Sequence, residues 1–278
     1  MLVTVYETQG STYSKAGAQM LVDQNGVFRG MLSGGCLEGD LAIRAQQVLE
    51  SGKPQNVTYD LGQDDELWGM GVGCDGLMRM FLQPLLPKND YAPFAGIAKI
   101  LRGRKSVEVM IPMVGEPPGE LLVLVEPPPQ VLVLGAGLDA EPVVRFAAEL
   151  GWRCTVVDHR QAYVDNGEFS AAESVLCAPA DSLHNELDLS HYNMAIVMSH
   201  HLASDRSYLR QLAETQMTYI GLLGPKSRRD RLLAEIGASA ASLEPRLHGP
   251  AGLDLGGRGP EPIALSIVAQ MQQELISD

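Results

Sequence analysis

The segment Val131-Leu-Val-Leu-Gly-Ala-Gly-Leu-Asp-Ala140 is the strongest indication of fold in this 278-residue chain. Its four leading apolar residues predict a buried parallel strand, and Gly135, Gly137 and Ala140 fit a glycine-rich pattern that opens a helix. The first glycine permits a tight turn, and the second lets backbone approach a pyrophosphate. The third position stays small so that helix and strand pack closely. The segment therefore predicts a strand, a glycine-rich turn of the kind that binds phosphate, and a helix, in this order.

The residues that follow extend the same pattern. We predict a helix from about Asp139 to Leu150 and a strand over Arg153–Val157, which Asp158 ends. This acid lies about 20 residues past the loop, where a carboxylate can accept hydrogen bonds from the hydroxyls of a ribose. The ordered set indicates a Rossmann-like unit. The identity of the ligand stays open, because some folds of this kind bind a molecule other than a dinucleotide at this loop.

Strands continue to alternate with helices beyond Asp158, which predicts a doubly wound parallel sheet. We expect strands at Ser174–Cys177, Met194–Met198 and Tyr219–Leu223, and helices ending near Glu214, Ile236 and Leu275, with methionines 194, 198, 217 and 271 filling the core.

The first half of the chain predicts a smaller mixed α+β domain. The stiff segment Pro127-Pro-Pro-Gln130 is typical of a linker, so we assign residues 1–126 to this domain and 127–278 to the Rossmann-like domain. The predicted strands are 3–8, 18–22, 27–31, 56–59, 77–84, 106–114 and 120–125, and the predicted helices are 37–49 and 92–102.

Composition narrows the class of protein. The formal net charge of −13 argues against broad nucleic-acid binding. No apolar run of about 18 residues and no basic-apolar leader is present, which predicts a cytoplasmic protein without an integral membrane segment. Four cysteines without C-x-x-C spacing predict thiols rather than disulfides. Because the chain starts almost directly on a strand at Leu2, we also expect a native N-terminal helix to be missing or overlooked.

Ligands of a doubly wound sheet bind beyond the carboxyl ends of its strands. His200 and His201 directly follow a predicted strand, and Asp205 stands four residues beyond His201. One interpretation is a metal or proton-transfer site. The alternative is structural, with one histidine capping the strand end and Asp205 capping a helix.

Basic residues near two predicted helix starts are candidates for anion binding. Lys226, Arg228 and Arg229 open one helix, and Arg258 precedes the last one in a glycine-rich run. Backbone amides and positive charge at a helix start suit a phosphate. The alternative is that these side chains are simply solvated.

Two cysteines lie in polar glycine loops of the first domain. Cys36 precedes a predicted helix, where the helix dipole favours a reactive thiolate, although the nearby charge of Glu38 opposes this. Both Cys36 and Cys74 can also be small buried thiols. We favour a functional role for Cys36 and a structural role for Cys74.

In combination, these motifs resemble the xanthine dehydrogenase accessory family (XdhC/CoxI). The resemblance covers nearly the whole chain in order and is carried by Gly10-Ser-Thr12, Ala16–Met20, Ser33-Gly-Gly-Cys-Leu-Glu38, Gly73-Cys-Asp-Gly76, Gly135–Ala140, Ser199-His-His201, Asp205, Tyr219–Gly224, Gly249–Gly256 and Pro260–Ala264.

The resemblance implies a maturation factor that binds molybdenum cofactor (molybdopterin), assists its sulfuration, shields the sulfurated form and inserts it into a xanthine dehydrogenase-type molybdenum hydroxylase. A cysteine desulfurase is a further implied partner, and a homodimer is expected. Two alternatives stay open: an NAD(P)-dependent oxidoreductase, and a redox-sensing regulator that uses Cys36. No catalytic set and no metal site is assigned. The predicted cofactor-binding residues are Gly135, Gly137, Ala140, Asp158, His200, His201, Asp205, Lys226, Arg228, Arg258 and Cys36.

Overall fold

The structure, a computed structural model, describes residues 1–61, 76–113 and 119–276. The chain divides into two compact units, Met1–Pro127 and Pro128–Asp278. Each unit has its own hydrophobic clusters.

The first unit contains a five-stranded antiparallel sheet covered by one long helix. The helix, α1, buries Leu41, Ala45 and Val48, which recur at helical spacing and pack on the sheet. It ends at Gly52, whose φ of 63° is a left-handed conformation that favours glycine. The strands are β1 (Leu2–Gln9), β2 (Gln19–Val22), β3 (Phe28–Arg29), β4 (Gln55–Asp60) and β5 (Leu77–Gln83), in the order β3-β2-β1-β5-β4, and α1 is Glu38–Ser51.

A helix and a two-stranded ribbon complete the first unit. The helix is α2 (Phe94–Leu101), and the antiparallel ribbon pairs β6 (Val107–Met113) with β7 (Gly119–Val125). One face of the ribbon buries Ile111, Val123 and Val125 in a small core. The opposite face leaves Met110, Leu122 and Leu124 exposed.

The second unit is built on a six-stranded sheet in which every pair of neighbouring strands is parallel. This confirms the predicted Rossmann-like fold. Its strands are β8 (Gln130–Leu134), β9 (Arg153–Asp158), β10 (Ser174–Cys177), β11 (Met194–Val197), β12 (Tyr219–Leu222) and β13 (Leu247–His248), in the order β10-β9-β8-β11-β12-β13. The helices are α3 (Ala140–Glu149), α4 (Gln161–Asn166), α5 (Leu183–Glu186), α6 (Leu202–Leu212), α7 (Lys226–Ile236), α8 (Ala240–Leu243) and α9 (Pro260–Ile276).

Helices cover both faces of this sheet, which explains the unbroken apolar run in β8. Val131 and Val133 pack into one cluster with residues of α3 and α9, whereas Leu132 and Leu134 pack into the other with residues of α6 and α7. A strand that is buried on both faces has no side that faces solvent, so its residues do not alternate between apolar and polar. The four methionines predicted to fill the core are all buried, which confirms that prediction.

Several short elements were not predicted. Strand β13 has two residues, and α4, α5 and α8 have four to six, so none spans enough sequence for a hydrophobic period to emerge. The edge strand β10 carries an exposed free thiol, Cys177, at its end. None of the helices within residues 1–61, 76–113 and 119–276 combines the length and apolar character that crossing a membrane requires.

Candidate functional site at the carboxyl edge of the parallel sheet

The strand order reverses between β8 and β11, the two central strands. β8 pairs with β9 on one side and with β11 on the other, so the connections leave in opposite directions from this point. In open α/β sheets the ligand crevice lies outside the carboxyl ends of the strands at such a switch. The loops after β8, β9 and β11 are therefore the candidate site.

The loop after β8 turns on Gly135. Its φ is +133°, and its N–H donates to the carbonyl of Val157 at 2.8 Å. A Cβ at this position would lie 2.5 Å from the carbonyl oxygen of Met198, so only glycine fits between the two central strands. Ala140 is fully buried at the start of α3, where the small side chain was predicted to allow close packing.

Asp158 ends β9 with its carboxylate completely buried. It accepts hydrogen bonds from the N–H of Ala136 at 2.8 Å and from the N–H and guanidinium of Arg160 at 2.8–2.9 Å. Burial raises the pKa of Asp158, but the hydrogen bonds from Arg160 and Ala136 outweigh it and hold that pKa below its ordinary value. The carboxylate of Asp158 thus links the glycine loop, through the N–H of Ala136, to the end of β9. Its predicted ribose contact would require an exchange of these partners.

A histidine and an acid meet above the glycine loop. His200, three residues after the end of β11, has a φ of 57°, and its Nε2 lies 2.7 Å from a carboxylate oxygen of Asp139. Asp139 also lies over Gly137, because a Cβ there would be 2.6 Å from its Oδ1. The space over the second glycine of the loop is therefore covered by a negatively charged side chain of the protein itself.

The predicted pair of His201 and Asp205 separates into two arrangements. His201 is the N-cap of α6, where its Nδ1 accepts from the N–H of Ser204. Asp205 is buried and accepts from the hydroxyl of Ser199 at 2.5 Å and from the guanidinium of Arg228 at 2.5 and 3.1 Å. Arg228 is thus tied to a buried carboxylate.

The other predicted cations differ in their pairing. Arg229 binds the neighbouring Asp230 at 2.8 Å. Lys226, the first residue of α7, and Arg258, two residues before α9, make no ion pair with any residue that the structure describes. These two side chains remain available for an anionic ligand at this edge.

In the first unit, Cys36 belongs to a loop that one carboxylate organises. Glu38 is buried, and it accepts the backbone N–H groups of Leu32, Ser33 and Gly35 at 2.8–3.0 Å as well as the hydroxyl of Ser33. Cys36 lies two residues before α1 as a half-buried free thiol packed on the core. Cys74 lies outside the described residues.

Replacing Glu38 with Gln should destabilise the first unit by about 2–3 kcal/mol, because a charged acceptor is lost and an amide nitrogen faces backbone donors. Chemical denaturation followed by circular dichroism measures this. The matched control is Glu50→Gln, an exposed acid on the same helix, which should change stability by less than about 0.5 kcal/mol. Equal effects of the two variants would contradict the assigned role.

The same carboxylate should contribute to acid sensitivity. Burial opposes ionisation of Glu38, but the hydrogen bonds from Ser33 and Leu32 outweigh it, and the pKa falls below the ordinary value of 4.5. The folded state thus favours the charged form, so this stabilisation is complete above that value and is lost as the pH falls through the lowered pKa. Stability profiles between about pH 7 and 3 should be flatter for Glu38→Gln than for the wild type.

Sequence reasoning missed several residues of these arrangements. Asp139 was placed only as a helix start, and Ser199 only as part of a motif. The pairing of Arg160 had one available signal, its position two residues after the strand-ending acid. Within the three described ranges, no group of three or more His, Cys, Asp or Glu side chains is placed to hold a metal ion.

The fold and the edge just described define a Rossmann-domain protein with a separate small antiparallel domain. A family model described as the XdhC Rossmann domain matches residues 131–271, and one described as the XdhC and CoxI family matches residues 1–60. The chain belongs to the XdhC and CoxI family.

Relatives match over nearly the full chain. A protein of Bacillus subtilis (strain 168), named as a probable subunit of xanthine dehydrogenase, is 28% identical, over 98% of this chain and 92% of its own. The molybdenum cofactor insertion chaperone PaoD of Escherichia coli (strain K12) is 23% identical, over 98% and 82%. A crystal structure from Bacillus halodurans, described as that of a xanthine dehydrogenase, is 32% identical with a TM-score of 0.85, over 99% and 91%.

Proposed function

We propose that this protein binds molybdenum cofactor and inserts it into a xanthine dehydrogenase-type molybdenum hydroxylase in the cytoplasm. The observation that carries the proposal is two cations, Lys226 after β12 and Arg258 after β13, that make no ion pair with a described residue, in a chain related to a named insertion chaperone. Assistance with sulfuration, protection of the sulfurated form and contact with a cysteine desulfurase belong to the same proposal.

A single phosphate group fits the two cations, Lys226 and Arg258, better than it fits the glycine loop. Molybdenum cofactor is a pterin with one phosphate and a dithiolene that binds molybdenum, and it supplies the redox chemistry of the client enzyme. Asp139 lies over Gly137, where a phosphate would meet like charge. Lys226 opens α7, so its ammonium group and the first amides of that helix suit a phosphate, and Arg258 would be a second donor.

The alternative of an NAD(P)-dependent oxidoreductase receives less support. A dinucleotide places its pyrophosphate on the glycine loop and its ribose on the acid after the second strand. Here the first position is covered by Asp139, and the carboxylate of Asp158 already accepts from Ala136 and Arg160. Both groups would have to rearrange before a dinucleotide could bind.

Purification from a host that makes molybdenum cofactor tests the proposal. We expect the wild type to retain a molybdenum-bearing pterin, identified by metal analysis and by pterin fluorescence after oxidation. The variant Lys226→Ala/Arg258→Ala should retain at least about tenfold less, whereas Arg104→Ala, a change of an exposed arginine in the first unit, should retain as much as the wild type. A nicotinamide nucleotide in place of the pterin would overturn the proposal.

Cys36 is proposed as the thiol that handles the sulfurated cofactor, either as a soft ligand to molybdenum or as a relay of sulfur. Cys36→Ser should keep the fold and the bound pterin but lower activation of a purified apo-hydroxylase by about tenfold or more. The matched control is Cys177→Ser, which removes an exposed thiol in the second unit. Full client activation by Cys36→Ser would leave Cys36 as a packing residue.

We also propose that the protein forms a homodimer. The outward face of the β6–β7 ribbon exposes Met110, Leu122 and Leu124, and Met110 and Leu122 are direct cross-strand neighbours. Contiguous apolar surface of this kind favours association, most often in a closed two-fold dimer. Sedimentation at micromolar concentration should give a species of twice 30.0 kDa. Met110→Lys/Leu122→Lys should shift it toward the monomer, and a wild-type protein that sediments only as a monomer would contradict the proposal.

A further inference from the structure

A cavity lies at the carboxyl edge of the sheet, apart from the glycine loop. It measures about 410 Å³ and lies between the ends of β9 and β10 and the first turns of α6. Ligand pockets of proteins start at roughly 300 Å³, so a bicyclic ring fits this space. The lining residues are His159, Pro179, Ala180, Asp181, Ala203, Ser204 and Ser207.

One imidazole ring lines the cavity. His159 lines it, and the ring of His201 lies 5.7 Å from that of His159, centroid to centroid, at a tilt of 36°. The position of His201 is fixed, because its Nδ1 is bonded to the hydroxyl of Ser204 at 2.9 Å and caps α6. The ring of His159, which packs beside this fixed neighbour, supplies an imidazole for stacking with another flat heteroaromatic ring.

Binding of such a ring also requires an acceptor for its N–H groups, and one carboxylate meets this requirement. Asp181 lines the cavity, is exposed, and has no ion pair among the residues that the structure describes. A carboxylate with two free oxygens accepts two parallel hydrogen bonds from adjacent donors. The 2-amino-4-oxopyrimidine edge of a pterin or of guanine presents such a pair, the ring N–H and the neighbouring amino group, whereas adenine does not.

Unsatisfied polar atoms occur in the same region. Nδ1 of His159 is buried and has no hydrogen-bond partner among the described residues. It lies 3.5 Å from Asp158, whose carboxylate already accepts from Arg160 and Ala136. The hydroxyl of Tyr208, fully buried one turn along α6 from Ser204, also has no partner in the part of the chain that the structure describes. Buried polar groups without partners are unusual and call for an unseen water or ligand.

We propose that this cavity binds the flat ring of a pterin or guanine through that edge, with the ring on His159 and its N–H groups on Asp181. The ring site deepens the proposed function and depends on it only for the identity of the ligand, since molybdenum cofactor carries a pterin.

Neopterin, which fluoresces, is the probe, and GMP and AMP are competitors. We expect neopterin to bind the full chain, GMP to compete and AMP to compete at least about tenfold less well, because AMP lacks the recognised edge. His159→Ala and Asp181→Asn should each weaken neopterin binding by about tenfold or more. The matched controls, His191→Ala and Asp188→Asn, change an exposed histidine–aspartate pair outside the cavity and should bind as the wild type does. Circular dichroism verifies that all four variants fold.

Three results would overturn the ring site: neopterin and GMP both fail to bind at millimolar concentration, AMP competes as well as GMP, or His159→Ala and Asp181→Asn bind neopterin like the controls. Failure of the proposed function looks different. A wild type that binds neopterin but retains no molybdenum cofactor in the host supports the ring site and contradicts the function. A His159→Ala variant that retains as much cofactor as the wild type contradicts the ring site and supports the function.

Discussion

Gly135→Ala should destabilise the second unit by about 3–5 kcal/mol. The residue has a φ of +133°, a conformation that costs a residue with a Cβ roughly 1–3 kcal/mol. The new Cβ would lie 2.5 Å from the carbonyl oxygen of Met198 and 2.8 Å from the backbone nitrogen of Ser199. Relief would require β8 and β11 to separate, and overpacking of this kind adds typically about 1–3 kcal/mol.

The matched control is Gly151→Ala. Gly151 also has a positive φ, +80°, but nothing lies within 4 Å of a Cβ placed there. It should therefore show the conformational cost alone, about 1–2 kcal/mol. The difference between the two variants isolates the clash between the strands.

Urea denaturation followed by tryptophan fluorescence measures both variants. A Trp68→Phe background leaves Trp152, which is buried in the core of the second unit, as the single tryptophan. Two units with separate cores need not unfold together, so one probe confined to the second unit is required. Equal losses for Gly135→Ala and Gly151→Ala would mean that the strands tolerate the added carbon.

Asp205→Ala should cost about 3–5 kcal/mol, the range found when one partner of a buried ion pair is removed. Asp205 is 1% exposed, and it is bonded to Arg228 and to the hydroxyl of Ser199. The substitution leaves a largely buried guanidinium without its counter-charge, and it leaves the hydroxyl of Ser199 with only the longer contact, 3.2 Å, to the carbonyl of His201. Both α6 and α7 begin at this contact, so the loss should act on the whole carboxyl edge.

A double-mutant cycle separates the ion pair from other effects of the substitution. Arg228→Met alone should also destabilise, and Asp205→Ala/Arg228→Met should be less harmful than the sum of the two, with a coupling of about 1–3 kcal/mol. Asp230→Ala breaks the exposed pair with Arg229 on the same helix and should change stability by at most about 1 kcal/mol. Additive effects in the cycle would show that Asp205 and Arg228 do not act as a pair.

Sequence patterns were sufficient for the framework of the second unit. The apolar run in β8, the glycine turn and the acid after β9 each impose a local requirement that few other structures satisfy, and the described strands follow them closely. The two-residue β13 and the short helices could not be found in this way, because they are stabilised by neighbours rather than by their own periodicity.

The charges at the edge were harder to predict for a different physical reason. Arg228 and Asp205 are 23 residues apart and meet only because neighbouring parallel strands bring the starts of α6 and α7 together. Glu38 appeared in the sequence as a charge near Cys36, whereas the segment Leu32–Gly35 directs three backbone donors onto it. Pairing across a fold depends on which loops become neighbours, and a linear pattern does not contain that information.

The free thiol at the end of β10 has a practical consequence for the handling of the purified protein. Cys177 is exposed on an edge strand, whereas Cys154 is buried and Cys36 is half-buried. We expect oxidation by air to join two molecules through Cys177 as a disulfide and to produce a covalent species of twice the chain mass. Such a product imitates an assembled protein on a sizing column, so freshly reduced samples or the Cys177→Ser variant are needed to tell chemical ageing from genuine association.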